Sequence, residues 1–139
     1  MEKQIFINLP VKDLKKTIEF FTELGFEFNP QFTNENATCM IIGENIFVML
    51  LVDKYFKNFT KKEICDSKKY TEVINSISVG SKKEVDDMIK KVIKAGGKEY
   101  REVQDHGWMY VKSFEDINDH IWEVFYMNIN EIPEEMKHK

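Results

Sequence analysis

Cysteine is scarce in this chain: Cys39 and Cys65 are the two among 139 residues. That excludes a disulfide framework of the kind that staples small secreted domains. Cys39 lies within Ala37-Thr38-Cys39-Met40-Ile41-Ile42 and reads as a buried strand residue, whereas Cys65 lies in a charged stretch. Long hydrophobic runs are also missing. The longest, Ile46–Val52, has the length of a strand, and the run Ile5–Leu9 after Met1-Glu2-Lys3 is too short for a signal peptide or a membrane span. A membrane partner is therefore not expected, and the cytoplasm is the expected location. The chain has no basic excess either: 20 Lys and Arg face 24 Asp and Glu, for a net charge of −4. Its lysines are interleaved with acidic residues, so no basic stripe is available for nucleic acid.

What the chain does have is a patterned apolar content. Hydrophobic residues make up 42% and charged residues 32%, values of a globular sequence that can bury a core. Phe supplies 11 of the 18 aromatic residues, enough to fill a core and still line a pocket. The length suits a single soluble domain.

The pattern along the chain repeats once. Gln4–Pro10 alternates and is rich in β-branched and aromatic residues, which predicts a strand ended by Pro10. Asp13 is a candidate N-cap, followed by Leu14, Thr17, Ile18, Phe21 and Leu24 at helical spacing, with Gly25 closing the helix. Strands are predicted at Phe26–Phe32, Thr38–Ile42 and Ile46–Val52, the last two joined by the turn Gly43-Glu44-Asn45. Residues 53–72 read as a lysine-rich connector with a helical turn or two. Then a strand at Val73–Val79 restarts the order. Ser81 and Glu84 form a capping box ahead of Val85, Met88, Ile89, Val92 and Ile93, and Ala95-Gly96-Gly97 ends that helix. Strands follow at Lys98–Val103, Trp108–Phe114 and Ile121–Met127, with turns at Gln104–Gly107 and Asp116–Asp119. The chain thus reads as one βαβββ module over about 4–52, the connector 53–72, a second βαβββ module over about 73–127, and a polar tail 128–139.

Two stretches carry a family resemblance. The first is Leu9-Pro10-Val11-Lys12-Asp13-Leu14, followed by Ile18-Glu19-Phe20-Phe21 and Leu24-Gly25-Phe26. The second runs from Phe114-Glu115-Asp116-Ile117-Asn118-Asp119 through His120-Ile121-Trp122-Glu123-Val124, where the family usually has an Asp-Pro-Asp-Gly turn. The sequence resembles the vicinal oxygen chelate superfamily, the glyoxalase, bleomycin-resistance and extradiol-dioxygenase group, over Gln4 to Met127. The resemblance implies an α+β fold of two tandem βαβββ modules whose sheets form a shared, cup-like, incompletely closed barrel. It also implies a homodimer, and in the enzymatic members a divalent metal that acts as a Lewis acid.

The glyoxalase-type ligands come from the first and last strand of each module. Carried onto this chain, those positions are Phe6, Met49, Ile74 and Glu123. Phe and Ile have no donor atom, and a Met thioether suits soft ions, so the usual metal site is absent and no cofactor is expected. Strand alternation then gives the cup an apolar and aromatic lining with a few polar groups. Its expected ligand-binding residues are Phe6, Asn8, Met49, Ile74, Ser76 and Phe125, with Trp108 and Tyr110 from the hairpin at the mouth. Glu123 is either an anchor or proton acceptor for a ligand, or a residue paired with Arg101 or Lys112. His106 is either a titrating group at the mouth or an ordinary exposed turn residue. Tyr55, Phe56 and Phe59 form either a flap or a satellite core of the connector.

Two functions fit these residues. One is a metal-free module that binds or sequesters a hydrophobic or aromatic small molecule. The alternative is a lyase, isomerase or dioxygenase of the glyoxalase type, using a metal or the acid-base pair Glu123 and His106.

Overall fold

In a computed structural model, residues 2–137 are described. They form a mixed α+β structure with two sheets, and neither sheet closes into a barrel. The chain divides into two compact units, one ending at Tyr70 and the other beginning at Thr71. The connector therefore belongs mostly to the first unit.

The first unit begins with β1 (Ile5–Val11) and α1 (Leu14–Glu23), then β2 (Glu27–Asn29), β3 (Ala37–Gly43) and β4 (Ile46–Val52). The order across its sheet is β1-β4-β3-β2. β1 runs parallel to β4, so the chain crosses over through α1 before the two antiparallel strands return. The sequence expectation ended β1 at Pro10, but the strand continues to Val11. β1 is the terminal strand of its sheet, where a proline is tolerated. The expected strand at Phe26–Phe32 is cut to three residues, because Asn29 accepts from the N–H of Gln31 and starts a single 3₁₀ turn at Pro30.

Helix α1 forms where its cap and apolar stripe predict. The Asp13 carboxylate accepts from the Lys16 N–H at 3.0 Å, and Leu14, Thr17, Phe20 and Phe21 are buried. Gly25 follows with φ +100°, a left-handed conformation in which a side chain would be strained. The connector continues as α2 (Asp53–Phe56) and one 3₁₀ turn, held by an ion pair from Lys12 to Asp53. Tyr55 meets Phe59 edge-on at 5.2 Å.

The second unit repeats this order with β5 (Asn75–Ser78), α3 (Lys82–Lys94), β6 (Lys98–Glu99), β7 (Gln104–Asp105), β8 (Met109–Glu115) and β9 (Ile121–Met127). Its sheet runs β5-β9-β8-β6, with β7 also on β8. The expected strand Lys98–Val103 is thus interrupted, and part of the expected turn 104–107 is β7. The expected strand at Val73–Val79 shortens to β5, leaving Ile74 outside it. On α3, Ser81 caps the N–H of Glu84 at 3.1 Å. Val85, Ile89 and Val92 form its buried stripe, while Ile93 is exposed, one residue past that stripe.

The β8–β9 hairpin is fixed by one buried side chain. Asp116 Oδ1 accepts from the N–H groups of Asn118 and His120, at 2.7 and 3.1 Å. Its Oδ2 accepts from the indole N–H of Trp122 at 2.9 Å. Burial pushes the Asp116 carboxyl above its ordinary range, opposed by His120 and these three donors. Asp119 closes the turn at φ +66°, the place where the family pattern has glycine.

Candidate functional site

Register decides which side chains share a face. In the second unit, α3 packs on β8 and β9. The face toward it carries Phe114, Trp122 and Val124, all buried, with Phe114 and Trp122 stacked at 6.4 Å. The alternate residues, Val111, Ser113, Ile121, Glu123 and Phe125, stand on the opposite face. β5 adds Ser76 to it, because Ser76 pairs with Glu123 in the parallel ladder.

One polar row crosses that face. Ser76 Oγ donates to Glu123 Oε1 at 2.7 Å, and on the other side of Glu123 its register partner on β8 is Ser113. Exposure falls along the row: Ser76 is exposed, Glu123 half-buried and Ser113 only 2% exposed. The Ser113 hydroxyl has no hydrogen-bond partner among the described residues. Sequence reading missed Ser113. Its signal was present in the hairpin turn at 116–119, which sets Ser113 opposite Glu123 on the same face.

Neither Arg101 nor Lys112, the partners in one of the two readings of Glu123, pairs with it. Lys112 alternates to the helix-covered face and pairs with Asp86 on α3 at 2.9 Å. Arg101 is exposed, and among the described residues no cation pairs with Glu123. Tyr110 also faces α3, where its hydroxyl donates to Asp86 at 2.7 Å, so it does not join Glu123. Asp86 is held below its ordinary range by the bonds from Lys112 and Tyr110. Trp108 precedes β8, and its carbonyl accepts from the Asn128 N–H at 2.7 Å. His106 is exposed in the turn, with its own N–H on the Met109 carbonyl. Phe125 shares the face of Glu123.

The first unit shows the corresponding face without the charge. Asn8 pairs with Met49 as Ser76 pairs with Glu123, and each precedes its helix N-cap by the same interval. Phe6 stacks on its register partner Phe47 at 4.8 Å, and Phe6 is 43% exposed. On the other side of Met49 lies Cys39, buried, its thiol pushed up in pKa by that burial. Ile74, at the position equivalent to Phe6, is 51% exposed and lies before β5.

A divalent ion does not fit this set of residues. Phe6, Met49 and Ile74 offer it no oxygen or nitrogen, and Ser76 occupies one carboxylate oxygen of Glu123. Among the described residues, no group of three or more His, Cys, Asp or Glu side chains is placed to hold a metal. Nor, among them, is any helix long and apolar enough to cross a membrane. The third histidine, His138, lies outside the described residues.

Comparison with known proteins agrees with this architecture. Residues 3–43 match the family described as Bleomycin resistance protein-like N-terminal. Hypothetical protein SA1046 from S. aureus is 29% identical, with a TM-score of 0.77 over 91% of this chain and 95% of that one. A glyoxalase-related enzyme from Fulvimarina pelagi is 17% identical, with a TM-score of 0.76 over 91% of this chain and 88% of that one. Fosfomycin resistance protein FosX from Mesorhizobium loti is 14% identical, with a TM-score of 0.67 over 94% of this chain and 97% of that one. No curated protein matches the chain. The fold, the tandem modules and the N-terminal match support the vicinal oxygen chelate superfamily, the glyoxalase, bleomycin-resistance and dioxygenase group.

Proposed function

We propose that this chain is a metal-free module that binds a small hydrophobic or aromatic molecule on the sheet faces that carry Phe6 and Glu123. The observation that carries the reading is the contrast within the four expected ligand positions. Phe6, Met49 and Ile74 are apolar, and the one carboxylate, Glu123, is hydrogen-bonded to Ser76 within a largely apolar face. In the second unit, Glu123 and Ser76 beside Val111, Ile121 and Phe125 suit a ligand surface, with a few polar groups to fix orientation. The exposed Phe6 and its stacked partner Phe47 supply an aromatic platform in the first unit.

A homodimer in the cytoplasm belongs to the same reading. Ile5 on the edge strand β1 and Ile46 on its neighbour β4 are exposed and paired in register, which favours an association surface. Light scattering should give twice the chain mass of 16.5 kDa.

The test of function has two parts. Metal analysis of protein purified without chelator should find no stoichiometric divalent ion. One Zn, Ni, Mn or Fe per chain would overturn the metal-free reading and favour an enzyme. A thermal-shift screen with a library of neutral and charged aromatic compounds should find ligands that raise the Tm of the wild type and not of Glu123→Ala. A library without a single such compound would sink the binding reading.

A further inference from the structure

We infer that the row Ser76–Glu123–Ser113 receives a protonated amine carried on an apolar or aromatic body. This rests on the small-molecule reading above and adds the charge of the ligand. The first observation is the unbalanced charge of Glu123. The carboxylate is half-buried among Val111, Ile121 and Phe125, and its partner is a neutral hydroxyl at 2.7 Å. With no cation on it among the described residues, the charge is hydrogen-bonded but not neutralised. A cation arriving with a ligand supplies what the protein lacks, through a charge-assisted bond. A ligand carboxylate or phosphate would instead meet like charge.

The second observation is Ser113. It is 2% exposed, stands opposite Glu123 on the same face, and its hydroxyl has no partner among the described residues. Native proteins seldom leave a buried hydroxyl in that state, and such exceptions call for a cause. An ammonium has three donors, so it can bond Glu123 and still offer a proton to Ser113. The exposed Ser76 end of the row is where the ligand enters, and the half-buried Phe125 on the same face receives its body.

The test uses the full chain and three matched probes: 2-phenylethylamine, 2-phenylethanol and phenylacetate. Affinity is measured by titration calorimetry, and the site is located from amide chemical shifts. The amine should bind at least about tenfold more tightly than the alcohol, and phenylacetate should not bind. Glu123→Gln keeps an acceptor for Ser76 and should weaken the amine about 10- to 100-fold and the alcohol by no more than a few-fold. Ser113→Ala should weaken the amine a few-fold with the Tm unchanged or raised, since a structural hydroxyl would instead lower it. Equal binding of amine and alcohol, or an amine affinity indifferent to Glu123→Gln, overturns the amine assignment and leaves the small-molecule reading standing. Failure of all three probes also overturns it. The broader reading falls only if the aromatic library fails as well.

Discussion

Asp116→Ala removes one carboxylate that three donors share. Two are backbone N–H groups of the turn, from Asn118 and His120, and the third is the indole N–H of Trp122. Asp116, Asn118 and Trp122 are 3%, 5% and 1% exposed, so water does not readily replace the lost acceptor at two of the three bonds. A buried donor left without a partner costs about 1–3 kcal/mol, and the half-buried His120 N–H costs less. The substitution should therefore destabilise the protein by about 3–5 kcal/mol, a large share of the roughly 5–15 kcal/mol that holds a domain folded. With a urea slope of about 2 kcal/mol per M, the unfolding midpoint should fall by about 2 M. Urea titration followed by tryptophan fluorescence reads this directly, because Trp122 is both a reporter and a partner. Asp116→Asn retains one oxygen for the turn but presents an amide donor to the indole, so it should fall between wild type and Ala. A midpoint shift below about 0.5 M for Asp116→Ala would refute the reasoning and mean that the turn is held by the ladder alone. The result bears on function, because this turn sets the register that puts Ser113 opposite Glu123. A slip of one residue would turn Glu123 to the helix side.

Other consequences follow from the same contacts. Asp119→Gly relieves a non-glycine residue at φ +66° and should raise stability by up to about 1 kcal/mol, measured by urea unfolding; a loss would mean that the Asp119 side chain contributes to the turn. A thiol reagent should modify the exposed Cys65 quickly and the buried Cys39 only after unfolding; two fast thiols in the native protein would contradict the burial of Cys39. Asp86 has its folded-state pKa lowered below the ordinary 3.8, so its contribution to stability is present above that value and is lost as pH falls through the folded value. Lys112 is raised above 10.5, so its contribution is present below that value and is lost as pH rises through the folded one. Stability measured across pH should therefore fall less steeply below pH 3.8 in Asp86→Asn than in the wild type, and identical acid limbs would dismiss the pair.

The sequence by itself determined the doubled order of elements and which residues stand at the four expected ligand positions. Both are local or countable. Asp13 and Ser81 cap helices because their side chains reach N–H groups three residues on, and Ile46–Val52 and Ile121–Met127 are apolar enough to be central strands. Phe6, Met49 and Ile74 lack hard donors whatever surrounds them. Alternation along single strands also gave Ser76, Glu123 and Phe125 a common face. Only the tertiary structure decided which partners those residues meet, because pairing across strands depends on register and on which face a helix covers. It took Tyr110 and Lys112 to Asp86 on the covered face, gave Glu123 a serine in place of the lysine or arginine that one of its two readings held, and set a buried Ser113, unpartnered among the described residues, beside it. The charge of Glu123 was legible in the sequence; that no cation of the described residues answers it was settled by the register of three strands.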